Sequence, residues 1–139
     1  MKKTFLLPLA ATCLLFVFSM KGFGQSIEKS LLTGSWQQCD STGKAIVMDA
    51  GVVEYKLITP ENFTVLQARK NDGVFMAVFF GTYSLENDTY TENLVYTAPG
   101  MLMARGGKNL FKISLKNNLL YLKGINNTYS QIWKKAEAL

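Results

Sequence analysis

From Gly34 onward the apolar positions of this chain recur at every second residue, the spacing of a strand with one face buried. Asn109 to Lys116 is the cleanest case: Phe111, Ile113 and Leu115 share one face, and Lys112, Ser114 and Lys116 share the other. Thr89 to Thr97 puts Tyr90, Leu94 and Tyr96 on a common face with Glu92, the one carboxylate placed where it could point inward. Phe63, Val65 and Gln67 fall together in Phe63 to Arg69, as do Tyr129, Gln131 and Trp133 in Thr128 to Lys135. In Val52 to Thr59, Val53, Tyr55 and Leu57 oppose Glu54 and Lys56, so the apolar side is expected inside and the charged side in solvent.

Gly34 to Cys39 and Leu119 to Gly124 complete the set of short strands. Val74 to Phe80 is apolar on both faces, and periodicity leaves open whether both sides are covered or the outer one meets a partner. Its β-branched and aromatic residues favour a strand, and Gly81 marks a bend or bulge within it. Turn chemistry separates these runs at Asp40 to Lys44, Pro60 to Asn62, Asn71-Asp72-Gly73, Glu86 to Asp88, Asn117-Asn118 and Asn126-Asn127. Ahead of them, Ile27, Leu31 and Leu32 predict one or two helical turns with Ser26 as N-cap, stopped by Gly34. Turns every 8 to 14 residues or so, with no helix long enough for a parallel crossover, predict an all-β fold. The expected form is an eight-stranded antiparallel up-and-down barrel, because closure removes exposed strand edges.

The helical turn, the Gly34-Ser35-Trp36 opening of the first strand and the final Ile132-Trp133-Lys134-Lys135 resemble the lipocalin and fatty-acid-binding superfamily. More closely, the mature chain is similar to small lipocalin-like domains of unknown function exported by Bacteroides-type bacteria. The resemblance implies that Trp36 packs across the closed end of the barrel and has no catalytic role. The chain carries no Arg-x-Tyr carboxylate clamp near its C-terminus.

The beginning of the chain reads differently. Lys2 and Lys3 precede an apolar run from Phe5 to Phe18, and Gly22-Phe23-Gly24 offers small residues for cleavage. Residues 1–24 are therefore expected to be a signal peptide and residues 25–139 the barrel domain. The run, about 14 residues, is shorter than the roughly 20 a membrane-spanning helix needs. Cys13 would be the lipidation site of a lipoprotein, but the apolar run continues past it through Phe18. The expected location is periplasmic or extracellular. Cleavage also changes the charge: losing Lys2, Lys3 and Lys21 leaves 12 of 15 basic residues against 10 acidic ones, a net of +2 instead of +5. No basic stripe for nucleic acid remains. Cys39 becomes the single thiol, so no internal disulfide is available.

The chain has no histidine, which removes the commonest general base and metal ligand. Asp40, Asp49, Asp72 and Asp88 read as turn formers, and Arg105-Gly106-Gly107-Lys108 as a rim loop. No cofactor, metal site or enzymatic apparatus is expected, and no stable membrane insertion. Asp40-Ser41-Thr42 matches an acceptor pattern for O-glycosylation in such bacteria. The function read from the residues is binding of a small apolar or amphipathic ligand in the barrel. The candidate contacts are Tyr55, Phe63, Tyr90, Glu92, Tyr96, Phe111, Tyr129 and Trp133. The alternative is a structural or interaction module whose barrel is filled by its own side chains. Val74 to Phe80 and Cys39 are then the surfaces through which a homodimer would form.

Overall fold

A computed structural model describes residues 27–137; the expected signal peptide, Cys13 and the Ser26 cap lie outside them. A single helical turn, α1 (Lys29–Leu32), leads into eight strands: β1 (Gly34–Gln38), β2 (Val52–Ile58), β3 (Asn62–Arg69), β4 (Phe75–Glu86), β5 (Thr89–Thr97), β6 (Lys108–Lys116), β7 (Leu119–Gly124) and β8 (Ser130–Lys135). The single turn is the lower of the two lengths that the apolar spacing predicts, with Glu28 at its N-cap. Each strand pairs antiparallel with the next, and β8 returns to β1, closing an up-and-down barrel.

This order gives the barrel two unlike ends. At one lie α1 and the short connections β2–β3, β4–β5 and β6–β7. Asn87, Asn117 and Asn118 adopt positive φ there, which asparagine tolerates and tight turns need. The opposite end carries the longer connections: 39–51, 70–74, 98–107 and 125–129. Short 3₁₀ turns at Asp49–Gly51 and Pro99–Ala104 stiffen two of them.

Two bulges decide which side chains enter the barrel. Along β4, Phe79 pairs with Val65 but Ala77 pairs with Leu66, so Val78 is the extra residue. Along β5, Leu94 pairs with Gly81 while Tyr96 pairs with Phe80, so Val95 is extra. A bulge moves everything beyond it to the other face. Tyr96, expected to follow Leu94 inward, is consequently 61% exposed and packs its ring on Phe80 outside. Gly81 allows the second bulge, since a Cβ at this position would run into the carbonyl oxygen of Asn93. Gly81→Ala is expected to lose about 3 kcal/mol of stability in urea unfolding, the upper range for overpacking. A loss below about 1 kcal/mol would show that β4 and β5 can separate there without penalty.

The main core is continuous from Leu32 and Trp36 through Phe63, Tyr83, Tyr90 and Phe111 to Leu120, Leu122 and Trp133. Cys39 is also buried, and its backbone pairs with Ala45 of the β1–β2 connection. Burial pushes its thiol up in pKa, which together with its inaccessibility makes it an inert filler. In this fold its sulfur is closed off from an intermolecular bridge.

Candidate functional site: the barrel interior

The face of β2 that enters the barrel is the charged one. Trp36 of β1, fully buried, pairs with Lys56, and Lys56 in turn pairs with Val65. Glu54, Lys56 and Ile58 therefore point inward, while Tyr55 lies outside and accepts a hydrogen bond from Gln37 at 3.3 Å. This inverts the orientation expected from apolar alternation, and it has an electrostatic cause. Lys56 Nζ lies 2.6 Å from Glu92 Oε1, with 1% and 5% of the two side chains exposed.

Aromatic rings surround the ammonium: it lies 4.9 Å from the ring centre of Trp133, 5.7 Å from Phe63, 5.9 Å from Tyr90 and 6.0 Å from Phe111. Such faces favour a cation electrostatically, and Glu92 supplies the counter-charge that makes burial tolerable. Five of the eight candidate contacts, Phe63, Tyr90, Glu92, Phe111 and Trp133, thus meet around one centre. All five are buried in it. Tyr55 and Tyr96 face outward, and Tyr129 stands 57% exposed at the end of the β7–β8 connection.

Tyr90 stacks on Tyr83 at 5.2 Å between ring centres, and its hydroxyl is buried without a hydrogen-bond partner. The charge of Glu92 is felt there without a hydrogen bond of good geometry. Burial first, and Glu92 second, hold the Tyr90 phenol well above its usual pKa. The folded state then keeps this proton at pH values where an unfolded tyrosine, with a pKa of about 10, releases it. The contribution of Tyr90 is complete below about pH 10 and falls as pH rises further, by about 1.4 kcal/mol per pH unit. Tyr90→Phe is expected to gain about 1 kcal/mol at pH 7, because an unpaired buried hydroxyl is removed. It should also lose less stability than the parent between pH 9 and pH 11 in parallel urea titrations. A destabilised Phe variant would mean that the hydroxyl is paired after all.

Above the ion pair the inner wall changes character. Toward the end with the long connections the inward positions include Gln38, Glu54, Gln67, Asn109 and Gln131, all half-buried in contrast to the sealed layer below, beside the buried Leu94. Gln38 pairs with Trp133, Glu54 with Gln67, and Gln67 with Met76. Gln67 donates from Nε2 to Glu54 Oε2 at 3.1 Å. A carboxamide and carboxylate belt therefore crosses neighbouring strands just inside the mouth. Apolar side chains crown it: Val47, Val74, Phe75, Met76, Met101, Leu102, Met103 and Tyr129 are exposed, Phe75 at 70%.

The opposite end is shut. Trp36 donates from Nε1 to the Leu32 carbonyl at 2.7 Å, and Lys135 Nζ lies 4.0 Å from the ring centre. Lys135 also donates to the Thr33 carbonyl at 2.7 Å, tying the end of the chain to its helical turn. The packing role implied for Trp36 is the one observed. Among the described residues no three His, Cys, Asp or Glu side chains gather to hold a metal ion, and no helix is long and apolar enough to cross a membrane.

A closed eight-stranded meander with a helical turn and a tryptophan at its shut end is a lipocalin-like barrel. A lipocalin-like protein from Bacteroides uniformis shares the fold at 24% identity and a TM-score of 0.51, over 76% of this chain and 99% of its own. An uncharacterised protein from Bacteroides eggerthii does so at 18% identity and a TM-score of 0.50, over 75% of this chain and 98% of its own. A fatty acid transporter at 10% identity reaches a TM-score of only 0.39, too low for the likeness to carry an argument. No protein-family model and no curated protein matches the chain.

Proposed function

We propose that this protein is an exported, non-enzymatic binder of a small amphipathic molecule, held in the open half of the barrel. The observation that carries this is the division of the interior. The deep half is filled by its own side chains around Lys56 and Glu92, whereas the inner wall of the open half keeps partly accessible polar groups beneath an apolar rim. A wholly apolar guest has no vacant apolar floor to reach. An amphiphile fits with its head group inward on the belt and its tail against Phe75, Met76 and Met101 to Met103. A few placed polar groups within a concave apolar frame is how ligand sites usually secure orientation.

Titration with a neutral fluorescent probe, N-phenyl-1-naphthylamine, is expected to show about one site per chain. Gln67→Trp, which fills the mouth, should abolish binding while leaving the fold intact by circular dichroism. No binding to the parent chain, or full binding to the Gln67→Trp variant, would overturn the reading.

The exposed rim favours a second reading, an interaction module. Contiguous exposed apolar residues often mark a protein contact. A concentration-dependent dimer in light scattering, abolished by Phe75→Ser, would support it over ligand capture.

A further inference from the structure

The sign of charge inside the open half narrows the ligand. Three cations among the described residues occupy inward-facing strand positions, and each already has a partner. Lys56 is paired with Glu92, and Arg69 with Asp72 at 2.7 Å near the mouth. Lys135 is bonded to the Thr33 carbonyl at the shut end. Glu54 differs: its hydrogen bond comes from the neutral carboxamide of Gln67, and no ammonium or guanidinium forms a salt bridge with it. The remaining cations of the open end stand exposed outside the barrel: Lys44, Lys70 and Arg105 on connections, and Lys108 on the outward face of β6, paired with Asn93, where water and salt screen them.

We infer that the open half selects an amphiphile with a cationic, amine-bearing head group, for which Glu54 is the counter-ion and Gln38 and Gln67 offer carboxamide acceptors. This rests on the proposed function and adds the head-group class to it. An ammonium donates and does not accept, so it complements the Glu54 carboxylate, whose oxygens keep lone pairs beyond the one hydrogen bond from Gln67 Nε2. A carboxylate head would meet Glu54 as a like charge and find no unpaired cation among the described residues on the inner face of the wall. The partly buried Glu54 also gains most from a cation, because attraction strengthens where water is thinned.

The test compares decylamine, decanoate and 1-decanol by calorimetric titration near neutral pH, each below its aggregation concentration. Decylamine is expected to bind at least tenfold more tightly than decanoate, with 1-decanol between them. Glu54→Gln should weaken decylamine by about tenfold, leave 1-decanol within about twofold and erase the preference over decanoate. Glu86→Gln, at the shut end, should change none of these. If 1-decanol and decanoate bind as well as decylamine, the head-group inference fails while amphiphile binding stands. If none of the three binds, both fail. A preference for decylamine that survives Glu54→Gln would remove Glu54 from the site and overturn the inference.

Discussion

Lys56→Met is expected to cost about 3–5 kcal/mol in equilibrium urea unfolding, out of proportion to the change in size. Methionine fills nearly the same volume among Trp133, Phe63, Tyr90 and Phe111, so little packing is lost. What remains is Glu92, 3% exposed as a residue, with its partner at 2.6 Å removed. An unpaired buried charge carries most of that cost. The double substitution Lys56→Met with Glu92→Leu is therefore expected to recover most of the loss and end within about 1–2 kcal/mol of the parent on either side, since a well-packed apolar pair often replaces a buried ion pair without penalty. A double variant as unstable as the sum of its single variants would refute this, and would mean that the two side chains act independently. The parent's retention of the pair despite such a modest net contribution has a consistent physical use: it fixes which face of β2 turns inward.

That face is also where the sequence is least transparent. Alternation divides Val52 to Ile58 into two sets, yet it does not say which set enters the barrel. Assigning the apolar set inward is sound for a strand judged alone. The deciding contact is Lys56 with Glu92, 36 residues away on β5, and such pairing is invisible to any local window. Glu92 itself was legible, because Tyr90 and Leu94 share its face with no bulge between them. Phe63, Phe111 and Trp133 were legible for the same reason. Tyr96 was not, since the extra residue Val95 reverses the face of everything after it. Gly81 signalled an irregularity in β4, and the shift in pairing does fall between Phe80 and Gly81. The polar belt had a partial signal too: Gln38 shares the face of Trp36, and Gln67 that of Phe63 and Val65. A glutamine on the same face as core residues, near the open end of its strand, is a usable mark of a lumen wall.

Trp36 is the residue at which the shut end can be taken apart, and Trp36→Ala is expected to cost about 3–5 kcal/mol, the range for deleting a large aromatic from a core. Three contacts go at once: the indole donation to the Leu32 carbonyl at 2.7 Å, the ring under Lys135 at 4.0 Å, and the packing on Leu32, itself fully buried. Trp36→Phe separates the terms. It keeps most of the apolar area but leaves the Leu32 carbonyl without its donor and gives Lys135 a poorer ring face, so about 1–2 kcal/mol is expected. Hydrogen exchange should show the loss as faster exchange at Leu31 and Thr33, whose amides bond within α1 to Glu28 and Lys29. The belt at Gln38, Glu54 and Gln67 lies toward the other end, so probe affinity in Trp36→Phe should stay within about twofold of the parent. A large fall in that affinity would show that the plug and the mouth are coupled through the ion-pair layer between them. An alanine variant losing less than about 1 kcal/mol would mean that α1 and Lys135 close the barrel without the indole.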